Sequence, residues 1–290
     1  MDQQLDTLQK QNVLPSIGDL FSQGFESLSH IWLFSKILIF PLLLVFIIFG
    51  IGVSIFAFLF PPAIIGVAIL FGLVVVTVSV WSQIAAMYVV CQGYAIRAQD
   101  AFSATKGMIL SFLWISLLIS FVIVGGFSLL IIPGIIFSVF LVFSGYALVC
   151  EGDKGLTALG KSFWYVRGIW WGVLGRLFLL WLVTAVFLGM LGGVFSLLGQ
   201  IFGGYIGAGV ADGLVRIVVA VIVTPFSFAY LYGMYQSLCT ARNLMPTGYK
   251  KKFLFGFGLW GFVAFVFIII TFFALQDIVP SIMDLNYALT

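Results

Sequence analysis

Apolar residues run through this chain in long blocks, separated by short stretches that are polar or rich in glycine and proline. A helix needs about 20 apolar residues to cross the hydrocarbon core, and in lipid its backbone groups must pair within the segment. Seven blocks meet or approach that length: Leu33 to Phe60, Ala63 to Cys91, Ile109 to Leu130, Gly134 to Cys150, Ile169 to Leu191, Leu214 to Cys239 and Phe253 to Leu275. The fourth is short and lengthens if Ile131 to Pro133 belong to it. The pattern predicts an all-α fold, a polytopic transmembrane helix bundle of about seven spans.

A second pattern precedes the odd-numbered spans. From Ser16 to Trp32, Ile17, Leu20, Phe21, Phe25, Leu28 and Ile31 recur at helical spacing, with Asp19, Ser22, Gln23, Glu26 and Ser27 mostly opposite. Ser16 followed by Asp19 is a helix-start signal. Ala101 to Phe112 is a weaker instance, and Leu156 to Trp170 repeats the period through Leu156, Leu159, Phe163, Val166 and Trp170. Such helices suit the headgroup plane. Asp19 to Ser22 and Asp100 to Ser103 share the letters D-x-F-S, while Tyr88 to Gly93 parallels Tyr146 to Gly152 and, more weakly, Tyr235 to Cys239. The expected unit is an interfacial amphipathic helix followed by a hairpin of two spans. It is used three times as pseudo-repeated hairpins, with a seventh span appended.

The connectors alternate in charge. Pro61-Pro62, Pro133-Gly134 and the glycine-rich stretch Gly199 to Gly213 read as turns on one side. Twelve of the 13 basic residues fall on the other, Arg216 being the exception. A Lys/Arg bias of this kind marks the cytoplasmic face. The expectation is a cytoplasmic polar tail (residues 1–15), a six-helix membrane core (16–243), a basic cytoplasmic loop with the seventh span (244–276), and an extracytoplasmic tail (277–290). Lacking a basic start, the first 30 residues are not expected to be a cleaved signal peptide.

Composition agrees: 63% of the 290 residues are apolar and 8% charged, against about a quarter charged in soluble domains. Cys91, Cys150 and Cys239 each end an even-numbered span, without metal or redox spacing. On a cytoplasmic face they are expected as reduced thiols.

The run Pro133-Gly134, Glu151-Gly152, Leu156 to Ser162, Trp164 and Val166 to Trp170 resembles the membrane domain of some bacterial glycerophosphoryl diester phosphodiesterases and related YciC-like inner-membrane proteins. Pro225-Phe226 with Tyr230, Tyr232 and Tyr235 resembles that family's last core helix, so the likeness covers roughly Ser16 to Arg242. The resemblance implies a six-helix core in a bacterial plasma membrane and brings no activity. The family's phosphodiesterase chemistry belongs to a soluble barrel that has no counterpart in this sequence, and the seventh span departs from its pattern.

Catalytic constellations are scarce. His30 is the sole histidine, and neither G-x-S-x-G nor H-E-x-x-H occurs. Gly155 to Ser162 fits the P-loop letters G-x-x-x-x-G-K-S, but a P-loop follows a buried strand, and here a span precedes it. No enzyme, metal or cofactor is expected, and no nucleic acid as partner. Lys161, Trp164, Arg167, Trp170 and Trp171 form an aromatic and basic cluster, a candidate lipid-headgroup site that ordinary anchoring would also explain. Ser79 and Gln83 in span two, with Asp212 and Arg216 near the outer end of span six, are the intramembrane polar candidates. Arg176 is placed to snorkel to the interface, and Pro225 to kink span six. Glycines four apart (Gly168 and Gly172, Gly189 and Gly193, Gly203 and Gly207) are expected to pack helices closely. The expected partners are membrane lipids and a larger membrane protein complex. The expected role is that of a lipid-interacting protein or an accessory or scaffold subunit; the alternative is a transporter or channel for a lipid or small solute.

Overall fold

The computed structural model describes residues 14–59, 64–129 and 131–242, together with Leu259, Val263 and Val266; for 50–59, 64, 129, 198, 200–212 and 214 the description is of the backbone alone. Residues 1–13, the Pro61-Pro62 turn, the C-terminal tail and, apart from those three residues, the seventh span from Phe253 to Leu275 lie outside the described residues. Among the described residues the fold is all helix: α1 Ile17–Ser29, α2 Ile31–Leu38, α3 Phe40–Leu59, α4 Ile64–Cys91, α5 Ala98–Thr105, α6 Ile109–Leu129, α7 Ile131–Leu141, α8 Ser144–Glu151, α9 Leu156–Val166, α10 Trp170–Val218 and α11 Thr224–Ala241. Six stretches are long and apolar enough to cross a membrane, Ile31–Phe49, Ile65–Cys91, Ala98–Ser128, Ile131–Glu151, Trp170–Leu197 and Val215–Ala241. The chain is an integral membrane protein.

Burial separates these spans. In their most apolar windows the fourth is 50% buried and the sixth 33%, against 6% for the second and fifth. Spans four and six are therefore the axis of the bundle, and the rest turn large apolar residues such as Ile69, Leu70, Trp181 and Met190 outward. That exposure suits lipid, not water. The core sits toward the basic end, where Ile84, Met87, Phe143, Tyr146, Tyr230 and Met234 pack together.

Helix α1 starts as its sequence predicts: the Ser16 hydroxyl accepts from the Asp19 amide at 3.1 Å. It does not merely rest at the interface. Leu20, Gly24 and Ser27 are buried along one face, and Gly24 lies against the Phe226 ring of α11. The Arg176 side chain also has a protein partner at the start of this helix. Its guanidinium donates to the Pro15 carbonyl at 2.8 and 3.2 Å, tying the start of α1 to span five.

Two expected turns are corrected. Pro133-Gly134 lies within the first turn of α7, where a proline needs no amide partner. The stretch Gly199 to Gly213 is helical throughout, inside α10, in keeping with the tolerance of membrane helices for glycine. The chain still reverses between spans five and six, because the Tyr230 hydroxyl reaches the Arg176 carbonyl at 3.1 Å. A straight helix would hold those residues about 80 Å apart.

Two spans are interrupted. Val142 and Phe143 break span four between α7 and α8. Span six holds a π-helical turn at Val219–Val223 just ahead of Pro225. There the Thr224 hydroxyl donates to the Val219 carbonyl at 3.0 Å, so a neighbouring threonine meets the disturbed backbone, as expected for a proline in a span.

Candidate functional site

The polar groups of the bundle gather at the basic end, around the turn from α8 to α9. Helix α8 ends in a left-handed cap: Gly152 has φ 76° and its amide bonds the Leu148 carbonyl, while the Asp153 amide bonds Ala147. The cap sends α9 back along α8 and leaves Glu151 in the last turn, facing it. One Glu151 oxygen pairs with the Lys161 ammonium at 2.5 Å. The other accepts from the Tyr165 hydroxyl at 3.1 Å, from Tyr235, and from the Cys239 thiol at 3.6 Å. Asp153 is the second acid on Lys161. Desolvation works to lower the Lys161 pKa, but hydrogen bonds to Asp153 and Glu151 outweigh it and raise the ammonium above the usual lysine range.

Ser162 closes the break in span four. Its buried hydroxyl donates to the Phe140 carbonyl at 2.7 Å and accepts from the Phe143 amide at 3.1 Å. With Lys161 and Ser162 both engaged in this way, and helix α8 where a strand would stand, the P-loop letters describe a helical clamp. Arg242, at the end of α11, adds hydrogen bonds to the Trp164 and Arg167 carbonyls at 3.0 and 2.6 Å. Glu151, Ser162, Tyr165, Tyr235 and Arg242 were not singled out as site residues by sequence. The available signal was an acid ending an apolar span, followed at once by glycine.

The headgroup candidates divide. Lys161 is turned inward to the acids, and Trp164 is half-buried. Arg167 is exposed, as is Trp171, whose ring stacks on half-buried Trp170 at 4.1 Å. On α2 a second surface indole, Trp32, carries the Lys36 ammonium 5.2 Å over its ring. His30 stacks on Tyr94 at 4.6 Å. The Tyr94 hydroxyl is pushed up to about 12, by burial first and then by the charge of Glu26.

The intramembrane candidates lie on two helices, α4 and α10. Ser79 donates to the Val75 carbonyl of its own helix at 2.7 Å, Gln83 is exposed on the same helix, and Arg216 is exposed on α10. The side chain of Asp212 lies outside the described residues. Among the glycine pairs, Gly189 and Gly193 show no close approach to the described residues. Gly168 has φ 84° and lies between helices, and a Cβ on Gly189 or Gly193 would meet nothing within 4 Å among the described residues. Gly172 does approach Leu14, and the side-chain surroundings of Gly203 and Gly207 lie outside the described residues. The thiols are corrected too: Cys91 and Cys150 are joined in a disulfide, with Cα atoms 5.8 Å apart. Both end even-numbered spans, and the packing of α4 against α8 makes them neighbours.

The Glu151 cluster is a fastening between α8, α9 and α11. Glu151→Gln keeps the side-chain volume and removes the charge that Lys161 and two tyrosines share. It is expected to lower stability by about 2 kcal/mol, the middle of the range for hydrogen bonds to a charged group, because the carboxylate side chain is 22% exposed. Tyr235→Phe should cost about 1 kcal/mol. Unfolding of the purified protein in mixed micelles reads both, and an unchanged Glu151→Gln midpoint would remove the fastening role. No protein-family model matches the chain, and no curated protein or solved structure shows significant similarity to it.

Proposed function

We propose that this is a non-enzymatic protein of a bacterial plasma membrane that works through contacts with lipid headgroups, as a lipid-interacting or accessory subunit. The observation that carries the reading is the surface of the basic end. Its exposed groups include paired indoles and cations, Arg167 and Trp171 on one side and Trp32 with Lys36 on another, alongside the acids Asp19, Glu26 and Asp100, while Glu151 and Asp153 are committed to Lys161 and the fastening of helices. Indoles favour the headgroup level, and each nearby cation attracts anionic lipid by about 1 kcal/mol. The Lys/Arg bias supports a cytoplasmic N-terminus, with this surface at the inner leaflet. The resemblance of Pro133 to Trp170 to phosphodiesterase membrane domains supports the same setting and adds no activity.

Transport of a lipid or small solute is the second reading, and the interruptions at Val142-Phe143 and Val219–Val223 favour it. Broken helices line the substrate paths of many transporters. Ser162 already occupies the free backbone groups of the first break.

Native mass spectrometry on gently extracted protein tests the proposal. The expected result is co-purified anionic phospholipid or a stoichiometric second subunit. Arg167→Gln with Trp171→Ala should reduce the lipid retained at that surface by roughly fivefold to tenfold, at about 1 kcal/mol for the cation. Protein that emerges without lipid or partner, or that passes solute across liposomes, overturns it.

A further inference from the structure

A groove of about 660 Å³ opens beside the start of α6, within the size range of small-ligand sites. Leu110, Leu113, Trp114 and Leu117 supply its apolar wall, with Ser111 among them, and Lys154 and Gly155 of the α8–α9 loop also line it. These positions on α6 are three, four and seven residues apart along one helix face. The leucines are exposed, Leu110 by 79%, in a span whose surroundings are lipid. Gly155 has φ +57°, and a Cβ there would lie 3.8 Å from the Trp114 indole, so the indole lies close against the loop backbone.

The acids of the α8–α9 loop are engaged away from Lys154. Glu151 and Asp153, the nearest acids in sequence, both face Lys161. Lys154 is exposed on the groove side of the same loop. An apolar channel open to the bilayer, with a cation where span three reaches the interface, matches a molecule that has an acyl chain below an anionic head.

We propose that this groove is a binding site for one anionic phospholipid of the basic-side leaflet. An acyl chain lies along Leu110, Leu113 and Leu117, and the phosphate meets Lys154. The site is separate from the Arg167–Trp171 surface, and it rests on the lipid-interacting reading while adding a defined ligand and stoichiometry.

The test is native mass spectrometry of the full chain titrated with phosphatidylglycerol or phosphatidylcholine, comparing wild type, Lys154→Gln, and the Arg167→Gln/Trp171→Ala pair. Wild type should hold one phosphatidylglycerol in preference to phosphatidylcholine. Lys154→Gln should lose about fivefold of that preference, the effect of one cation near the surface, with phosphatidylcholine binding unchanged. The paired variant should keep the single preferred lipid. Trp114→Phe supplies a second readout: brominated phosphatidylglycerol should quench wild-type fluorescence more than that of the variant. An unaltered preference in Lys154→Gln overturns the groove. A preference lost only in the paired variant overturns the groove and leaves the lipid-interacting reading standing. No preference in any form overturns both.

Discussion

Gly126→Val is expected to lower stability by about 3 kcal/mol, the upper end of the usual overpacking cost, read as an earlier unfolding midpoint in mixed detergent micelles. A Cβ on Gly126 would lie 2.9 Å from the Gly134 Cα and 3.0 Å from its nitrogen. Those atoms are backbone, and no rotamer change moves them aside. In turn, a Cβ on Gly134 would lie 2.5 Å from the Phe127 ring. Helices α6 and α7 thus meet backbone to backbone, the arrangement that small residues permit in membranes, where dispersion and not water drives association. Valine would have to push span three from span four, the most buried span of the bundle. Gly189→Val is the control. A Cβ at Gly189 meets nothing within 4 Å among the described residues, so that change should stay within about 0.5 kcal/mol, as at surface sites. Equal effects at the two positions would mean that spans three and four do not pack as described.

Those glycines show why some of this fold was legible in the sequence and some was not. The spans could be read because lipid demands a continuous apolar run, which leaves a one-dimensional trace. The cap at Ser16 could be read because capping is local. Close approach is not local. Gly126 and Gly134 are eight positions apart, on two helices whose turn was expected at Pro133-Gly134 and falls earlier. Meanwhile the tidy spacing of Gly189 and Gly193 leads to no close neighbour among the described residues. The stretch Gly199 to Gly213 misled for a related reason. Glycine breaks helices in water, where exposed backbone has other partners, but lipid removes those partners.

The candidate site follows the same division. Lys161, Trp164, Arg167, Trp170 and Trp171 stood out by composition, but composition could not tell that Lys161 turns inward while Arg167 and Trp171 face out. Glu151 meets Tyr235 only once spans four and six lie together, 84 residues apart in sequence. Ser162 looked like part of a nucleotide motif until the break at Phe143 gave its hydroxyl a partner. The groove was invisible: Leu110 to Leu117 reads simply as the beginning of a span, and Lys154 as one more cation on the basic side.

Loss of the Cys91–Cys150 bond carries the largest expected effect. The bridge joins residues 59 apart, and constraining a loop of that length stabilises by about 4 kcal/mol in the chain-entropy model. Cys91→Ser with Cys150→Ser, or reduction of the wild type, should each lower the unfolding stability by up to that amount and by similar extents. Thiol counting checks the bond itself. Purified without reductant, the chain should offer one reactive thiol, Cys239, out of the three cysteines; with reductant it should offer all three. The bond also bears on orientation, since it sits on the basic side. If that side is cytoplasmic, glutathione and thioredoxin oppose the bond in cells, and it closes once the protein meets an oxidising medium. Trapping thiols with a permeant alkylating reagent before lysis decides the matter. Three trapped thiols per chain agree with a cytoplasmic basic face. One trapped thiol places that face in an oxidising compartment and reverses the orientation drawn from the Lys/Arg bias.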